Sequence, residues 1–142
     1  MRFLNTKACT LNELPDFYFK CGYGGTFDGS DDVFYAVEDT KVIGVVRIAQ
    51  EHGAFILRGM QVLPKFRGKH IGRKLLSYMV EQISQFNAPC YCLPHNHLAQ
   101  FYGEAGFINA EPTDVPEFLI KRKLKYEAQG LSIDLLVRRS AL

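Results

Sequence analysis

Met60-Gln61-Val62-Leu63-Pro64-Lys65-Phe66-Arg67-Gly68-Lys69-His70-Ile71-Gly72-Arg73-Lys74-Leu75-Leu76 is the stretch from which the rest of the chain can be read. Its first residues finish a strand that starts at Phe55, and Leu63-Pro64 closes that strand because proline cannot donate to a sheet ladder. Beyond the turn, Ile71, Leu75, Leu76, Met79, Val80 and Ile83 recur every three or four residues, the spacing of an amphipathic helix. Arg73, Lys74, Ser77, Glu81 and Gln82 fill its other side, and Asn87-Ala88-Pro89 stops it. The turn between strand and helix, Lys65 to Gly72, is basic and holds two glycines.

Such a turn is suited to an anion. The first turn of a helix leaves backbone N–H groups without intrahelical partners, and the macrodipole adds roughly half a positive charge there. Gly68 and Gly72 keep side chains away from the backbone, and Arg67 and Lys69 add full charges beside it. Phosphate or pyrophosphate is the natural guest, and a tight turn with solvated basic residues is the plain alternative. The turn lacks the Gly-Lys-Ser/Thr ending of a P-loop and the three-glycine dinucleotide fingerprint.

Arg67-Gly68-Lys69-His70-Ile71-Gly72 resembles the acetyl-CoA-binding motif of the GNAT superfamily of N-acetyltransferases, Gln/Arg-x-x-Gly-x-Gly/Ala. His70 stands where the motif usually has its first glycine. A second block further on, Phe101-Tyr102-Gly103-Glu104-Ala105-Gly106-Phe107, is similar to the family's Phe-Tyr-x-x-x-Gly-Phe. The two blocks come in the family's order and spacing, and the resemblance is best from Asp32 to Phe107. It implies an α/β (α+β) fold: a mixed, mostly antiparallel, splayed central sheet with helices on both faces. The activity it implies is acetyl transfer from acetyl-CoA to a primary amine, by direct attack in a ternary complex. Pantetheine would pair with backbone around Met60 and Val62, an extended ligand adding to an opened strand edge. Turn groups from Arg67, Gly68, Lys69, His70, Ile71, Gly72 and Arg73 would hold the pyrophosphate. Asn96 matches an asparagine that contacts the pantetheine arm. Tyr102 matches a tyrosine near the thioester sulfur, a general acid for the departing thiolate. A phenol, with a reference pKa of about 10, is protonated at neutral pH and can serve a thiol of about 8.5. Read without the resemblance, Tyr102 is a core tyrosine on an amphipathic helix.

The bulk properties fit that frame. At 142 residues the chain is expected to be one domain, residues 1–142. Hydrophobic content of 47% and charged content of 23% are those of an ordinary globule. Seventeen Lys+Arg against fifteen Asp+Glu leave +2, so no nucleic-acid partner is expected. No apolar run approaches the ~20 residues that span a bilayer, and no apolar segment follows Met1-Arg2-Phe3-Leu4-Asn5 as in a signal peptide. No membrane partner and a cytoplasmic location are the expectations, and dimers are common in the resembling family. Cys90-x-Cys92-x-x-His95-x-His97 gathers four possible zinc ligands, but they crowd one strand end instead of forming two separated pairs. Buried reduced thiols are preferred and no metal is expected.

The remaining elements follow from local signals. Phe3-Leu4 reads as a short strand, and Thr10 with Glu13 as a capping box for a helix carrying Leu14, Phe17 and Phe19. Gly22 to Ser30 is a loop, where the resemblance implies acceptor contacts from Tyr18, Tyr23, Phe27, Asp28, Asp31 and Asp32. Val33–Val37 and Lys41–Ala49 form a hairpin about Glu38-Asp39-Thr40, and Gly44 marks a bulge or a close approach. Glu51-His52-Gly53 turns the chain into the strand from Phe55. A strand, a helix and then Pro89–Leu93 favour a parallel pair with a right-handed crossover. Asn96 reads as the N-cap of the next helix and Gly106 as its stop. Asp114-Val115-Pro116-Glu117 reads as a helix start with Asp114 as N-cap, and Gly130 as its end. Lys121, Arg122, Lys123 and Lys125 read as a solvated face, and Ser132–Arg138 as a last strand.

The amine must lose a proton before it attacks, and family members often supply a Glu from the strand before the motif. Phe55–Val62 has none and carries Arg58 instead. Glu51, Asp31, His97, His52 or water are the candidates for the base. Arg58 favours an acceptor with a carboxylate or other anion, a surface ion pair being the alternative. Two other functions are weighed: acyl transfer through Cys92 with His95 or His97 as base, and a non-catalytic acyl-CoA-binding module. The acceptor, a small-molecule or peptide amine, is not named by the sequence.

Overall fold

The computed structural model describes residues 1–139. In them β1 (Arg2–Lys7), β2 (Asp32–Glu38), β3 (Lys41–Glu51) and β4 (Ala54–Val62) form an antiparallel meander, with α1 (Leu14–Cys21) between the first two. Helix α2 (Ile71–Ile83) crosses to β5 (Cys90–Cys92), which lies parallel to β4. Then come α3 (Ala99–Gly103), β6 (Ile108–Asn109), α4 (Glu117–Ala128) and β7 (Leu136–Arg138), giving a mixed sheet of order β1-β2-β3-β4-β5-β7-β6. The described residues thus form the mixed, mostly antiparallel sheet with helices on both faces.

Strand periodicity assigns those faces. Phe34, Val46, Ile48 and Leu57 pack with Leu75, Leu76, Met79 and Ile83 of α2 and with Tyr102 of α3. The alternate residues Val33, Ile43 and Val45 meet Leu14, Phe17 and Tyr18 of α1, and Ala49, Ile56, Tyr91 and Val137 meet Leu119 of α4. Cys90 and Cys92 share the α2 face, with Tyr91 on the other. The 38–41 turn needs the left-handed region at both central residues, and Asp39 and Thr40 adopt it at φ 48° and 69°. Gly44 serves both of its proposed purposes. It sits at a register shift against Ala36/Val37, and a Cβ there would stand 3.3 Å from Leu75 Cδ2.

Three expected caps are not formed. Helix α1 begins at Leu14 with Glu13 in the cap position and no side-chain cap bond; the Thr10 hydroxyl instead donates to Lys7 O at 2.8 Å. Pro15, in the first turn, needs no N–H there, so the helix starts without a cap. Asn96 opens a short 3-10 turn, and its backbone N–H goes to Ser132 O at 3.0 Å. Asp114 closes another 3-10 turn, and extended Pro116 precedes α4. In each case a competing turn occupies the segment that the cap needed.

The sheet opens at β4. Val45 faces Gln61 and Arg47 faces Arg58, so Gly59 and Met60 together oppose Val46: a bulge, with Gly59 at φ 62°. Pairing with β5 covers only Phe55, Ile56 and Leu57, and β4 continues to Val62 while the chain after Cys92 turns away. The bulge is clamped from below by Arg47, which is fully buried. Its Nε donates to Tyr18 Oη at 2.9 Å, Nη1 to Asp31 Oδ2 at 2.6 Å, and Nη2 to Tyr23 Oη at 2.8 Å and Thr26 O at 3.2 Å. Tyr18 Oη donates in turn to Gly59 O at 2.9 Å. The rings of Tyr18, Tyr23 and Phe27 surround the guanidinium with centroids 5.5–5.8 Å from Cζ. Burial pushes the Tyr18 phenol well above its ordinary range, so it remains a donor.

Arg47→Met leaves Asp31 buried without its partner, and we expect a loss of about 3–5 kcal/mol in urea unfolding at pH 7. A loss below about 1 kcal/mol, the worth of a surface pair, would show that this group does not fasten the loop to the sheet.

Candidate active site

The turn after β4 runs through a short 3-10 segment, Pro64–Phe66, to Gly68 at φ 78° and His70 at φ 63°. Both residues need the left-handed region, which glycine enters without penalty and histidine at about 1–2 kcal/mol. His70 therefore stands, where the motif usually has glycine, in a conformation that glycine would enter freely. In α2 the Lys74 N–H is the first with a backbone acceptor, His70 O at 3.1 Å. Arg67 N–H donates to Pro64 O at 3.3 Å, whereas the amides of Gly68 to Arg73 have no hydrogen-bond acceptor among the described residues and lie at the positive end of the helix dipole.

A cavity of about 330 Å³ lies between the outer half of β4, this turn, the start of α2, and α3. Met60 and Val62 line it from β4, and Arg67, Gly68, His70, Ile71, Gly72 and Arg73 from the turn and helix. Tyr102 lines it from α3. The remaining two of the expected cofactor residues are not in its lining. Lys69 turns its Nζ over the Phe66 ring, 5.5 Å from the centroid, and Asn96 is exposed at the start of the 3-10 turn before α3. Sequence reasoning missed Gln61, Phe66, Leu98 and Phe101, which complete the wall. The apolar periodicity of α3 carried a signal for Leu98 and Phe101; Gln61 and Phe66 had none. A Cβ on Gly72 would lie 3.3 Å from Met60 Cε and 3.5 Å from Phe101 Cζ, so glycine here keeps the cavity open.

The charges around it are partly engaged. Arg67 Nε donates to Val62 O at 2.9 Å, and Arg73 Nε pairs with Glu104 at 3.0 Å. Tyr102 is 5% exposed and meets Phe101 and Phe107 edge-on, at 5.0 and 5.9 Å between centroids. Burial pushes its phenol well up, with Cys92 adding to the shift, so it is protonated at any ordinary pH.

The candidates for a base are placed less favourably. Asp31 is consumed by Arg47. Glu51 lies between two arginines: Arg122 Nη1 and Nη2 donate to its two oxygens at 2.9 Å each, and Arg58 Nη2 donates at 2.6 Å. Those bonds, that from Arg122 foremost, hold its carboxyl below the usual range, which makes it a weak base. Arg122 thus leaves the solvated face expected of it. His52 packs on Phe118 at the β3–β4 turn, the opposite end of β4 from the cavity. His97 is exposed and lies against His95, with ring centroids 5.9 Å apart. Cys90 and Cys92 are buried while both these histidines are exposed, so the four do not converge. Burial pushes the Cys90 thiol to about 12 and Cys92 well above its usual value, which disfavours the thiolate that a nucleophile needs.

Comparison with known proteins agrees on one family. A family model described as an acetyltransferase (GNAT) domain matches residues 29–109. No curated protein sequence matches the chain. Among solved structures, the N-acetylglutamate synthase of Neisseria gonorrhoeae, complexed with coenzyme A and N-acetyl-glutamate, superposes with a TM-score of 0.73 at 16% identity. That match covers 100% of this chain and 36% of the synthase. Escherichia coli ElaA gives 0.68 at 16% identity, over 97% of this chain and 99% of that one. The ribosomal-protein-S18-alanine N-acetyltransferase of Escherichia coli gives 0.69 at 12% identity, over 99% and 96%. At these identities the likeness is one of fold.

The strained turn and the clamped carboxylate each make a checkable claim. His70→Gly relieves the left-handed strain at the expense of some unfolded-chain entropy, so we expect a gain of about 0.5–1 kcal/mol by urea unfolding. Glu51 has a depressed folded-state value, so its contribution to stability is present above 4.5 and fades as pH falls through its lowered value. Glu51→Gln should therefore be less stable than the parent at pH 7 and converge on it at low pH. A difference that is equal at pH 7 and pH 3 would remove the clamp as its cause.

Proposed function

The chain belongs to the GNAT acetyltransferase family, and from that premise we propose that residues 1–142 form one domain that moves acetyl from acetyl-CoA to a primary amine by direct attack. That the protein is an acyltransferase using acyl-CoA follows from the family; the acceptor, the mechanism and the residue roles are our reading. Acetyl-CoA supplies an acyl group activated as a thioester. The observation that carries the assignment is one cavity joining three features: the turn from Gly68 to Arg73 with its unbonded amides, the edge of β4 beyond its pairing with β5, and the buried Tyr102.

Each feature suits one part of the co-substrate. The amides and dipole at the start of α2 favour two phosphate charges, with Arg67 and Arg73 able to swing from their present partners. The Met60–Val62 backbone, free of β5, presents N–H and C=O groups to an extended arm; Arg67 must release Val62 O for that carbonyl to take part. Tyr102 holds a proton at Oη where a thiolate would depart, and a desolvated phenol gives it up only to a strong base, which a thiolate leaving into the same dry site becomes. The acceptor's proton leaves through water, because Glu51 and Asp31 are neutralised by arginines. Those engaged carboxylates also favour a second reading, a module that binds acyl-CoA without turnover. The synthase above is seen with an acetylated amino acid, which places amino acids among the acceptors to try first.

We expect acetyl-CoA to bind the protein by calorimetry and Gly72→Glu to abolish that binding, since bulk and negative charge enter the cavity. No binding by the parent would sink the assignment, and binding with no CoA released on any amine would favour the module. Tyr102→Phe should lower kcat about 10²–10⁴-fold with little effect on acetyl-CoA affinity, as expected for loss of a general acid.

A further inference from the structure

The two strands that part, β4 and β5, open onto a second cavity of about 370 Å³ on the α4 face. Ile56, Leu57, Arg58 and Gly59 line it from β4, Leu93 from the chain after β5, and Arg122 and Tyr126 from α4. The next residues of β4, Met60 to Val62, line the first cavity, so the two adjoin where the strands separate.

The chemistry of this second cavity is unequal in charge. Arg58 and Arg122 share one carboxylate, Glu51, and leave a surplus of one positive charge. Asp28, the other carboxylate that feels Arg58, is exposed on the 22–31 loop and is satisfied by Ser30 N–H and Oγ–H at 2.8 and 2.7 Å. Arg58 Nε is buried and, among the described residues, has no hydrogen-bond partner. A buried guanidinium N–H left unmade is unfavourable, and the rest of the Arg58 side chain, 35% exposed, can be reached from solvent. The surrounding side chains are aliphatic and aromatic, which lowers the local dielectric and strengthens any ion pair formed there.

We propose that this cavity receives the acceptor, and that the acceptor is a small amine carrying a carboxylate, which Arg58 binds through the exposed part of its guanidinium with Arg122 adding charge. The inference rests on the acetyltransferase assignment above. Arg122 and Glu51 have a positioning part: their bidentate pair holds Glu51 against Arg58 Nη2 and so fixes the Arg58 fork. The carboxylate occupies the arginine end, the aliphatic body lies along Ile56, Leu57 and Leu93, and the amine is left at the gap between the strands.

The test uses the whole chain with acetyl-CoA and matched pairs of free L-amino acids and their carboxamides, with aliphatic diamines and short peptides as further acceptors and products read by mass spectrometry. At least one acid should be acetylated with kcat/KM about 10–100-fold above its carboxamide, the worth of one charge-assisted hydrogen bond. Arg58→Gln should raise KM for the acid by a similar factor and leave the carboxamide's KM nearly unmoved, compressing the ratio. An arginine that merely supports the fold would shift both acceptors alike, and that result overturns the proposal. So does a carboxamide, diamine or peptide used as well as every acid, or acetylation of those acceptors with no acid acetylated; these leave the acetyltransferase assignment standing. Absence of acetyl-CoA binding instead removes the assignment itself, and this proposal with it. A thermal melt of Arg58→Gln, and the acid-to-carboxamide ratio of the unaltered protein, keep misfolding from counting as an answer.

Discussion

Arg47 is a full positive charge placed in the interior of a small protein, and the molecule is arranged to satisfy it. Taking such a charge out of water is tolerable only if its donors are all met and a counter-charge is close. Asp31 supplies the counter-charge, two phenols and a carbonyl meet further donors, and three aromatic rings close around the plane. Those partners come from α1, from the loop that follows it, and through Tyr18 from the carbonyl of Gly59. The arginine therefore ties the least regular part of the chain to the bulge in β4. Because Gly59 leaves no room for a Cβ beside Tyr18 and Arg47, the bulge and the buried charge depend on each other.

The bulge has a geometric consequence. A strand that pairs on both edges offers no backbone to a ligand, whereas β4 pairs with β5 for three residues and then keeps only β3 as a neighbour. The divided sheet leaves one cavity on the α2 face, rich in amides and apolar walls, and another on the α4 face with arginines. In the proposed reaction the acetyl donor and the amine approach from opposite faces and meet in the gap. The left-handed His70 sits at the rim of the first cavity, directly before the helix begins.

Arginines decide the protonation chemistry near the gap. Asp31 and Glu51 were reasonable bases on composition alone, yet each is bound by guanidinium, and its arginines hold the Glu51 carboxyl below the usual range. Tyr102 is governed by the opposite force: desolvation holds its proton in place. In the proposed reaction Tyr102 is then the proton donor and water the route for the amine's proton.

The sequence by itself determined the elements and the first cavity. Period-two and period-3.6 patterns carry strand and helix assignments because burial is decided one face at a time, and α2, the hairpins and the Gly68–Gly72 turn were legible for that reason. The two motif blocks brought the family and Tyr102 with them. The caps at Thr10, Asn96 and Asp114 were not legible correctly, since a side chain that can cap a helix can equally serve a 3-10 turn, and only the tertiary path chooses. Arg47 read as one more residue of a β-rich run, and Arg122 as one charge in a solvated cluster. Their partners lie up to 29 and 71 positions away, a separation that local patterning does not encode. The buried charge, the clamped Glu51 and the second cavity exist only once long-range packing has joined those distant residues, because an ion pair's energy depends on distance in space and on exclusion of water, neither of which is written in the local sequence.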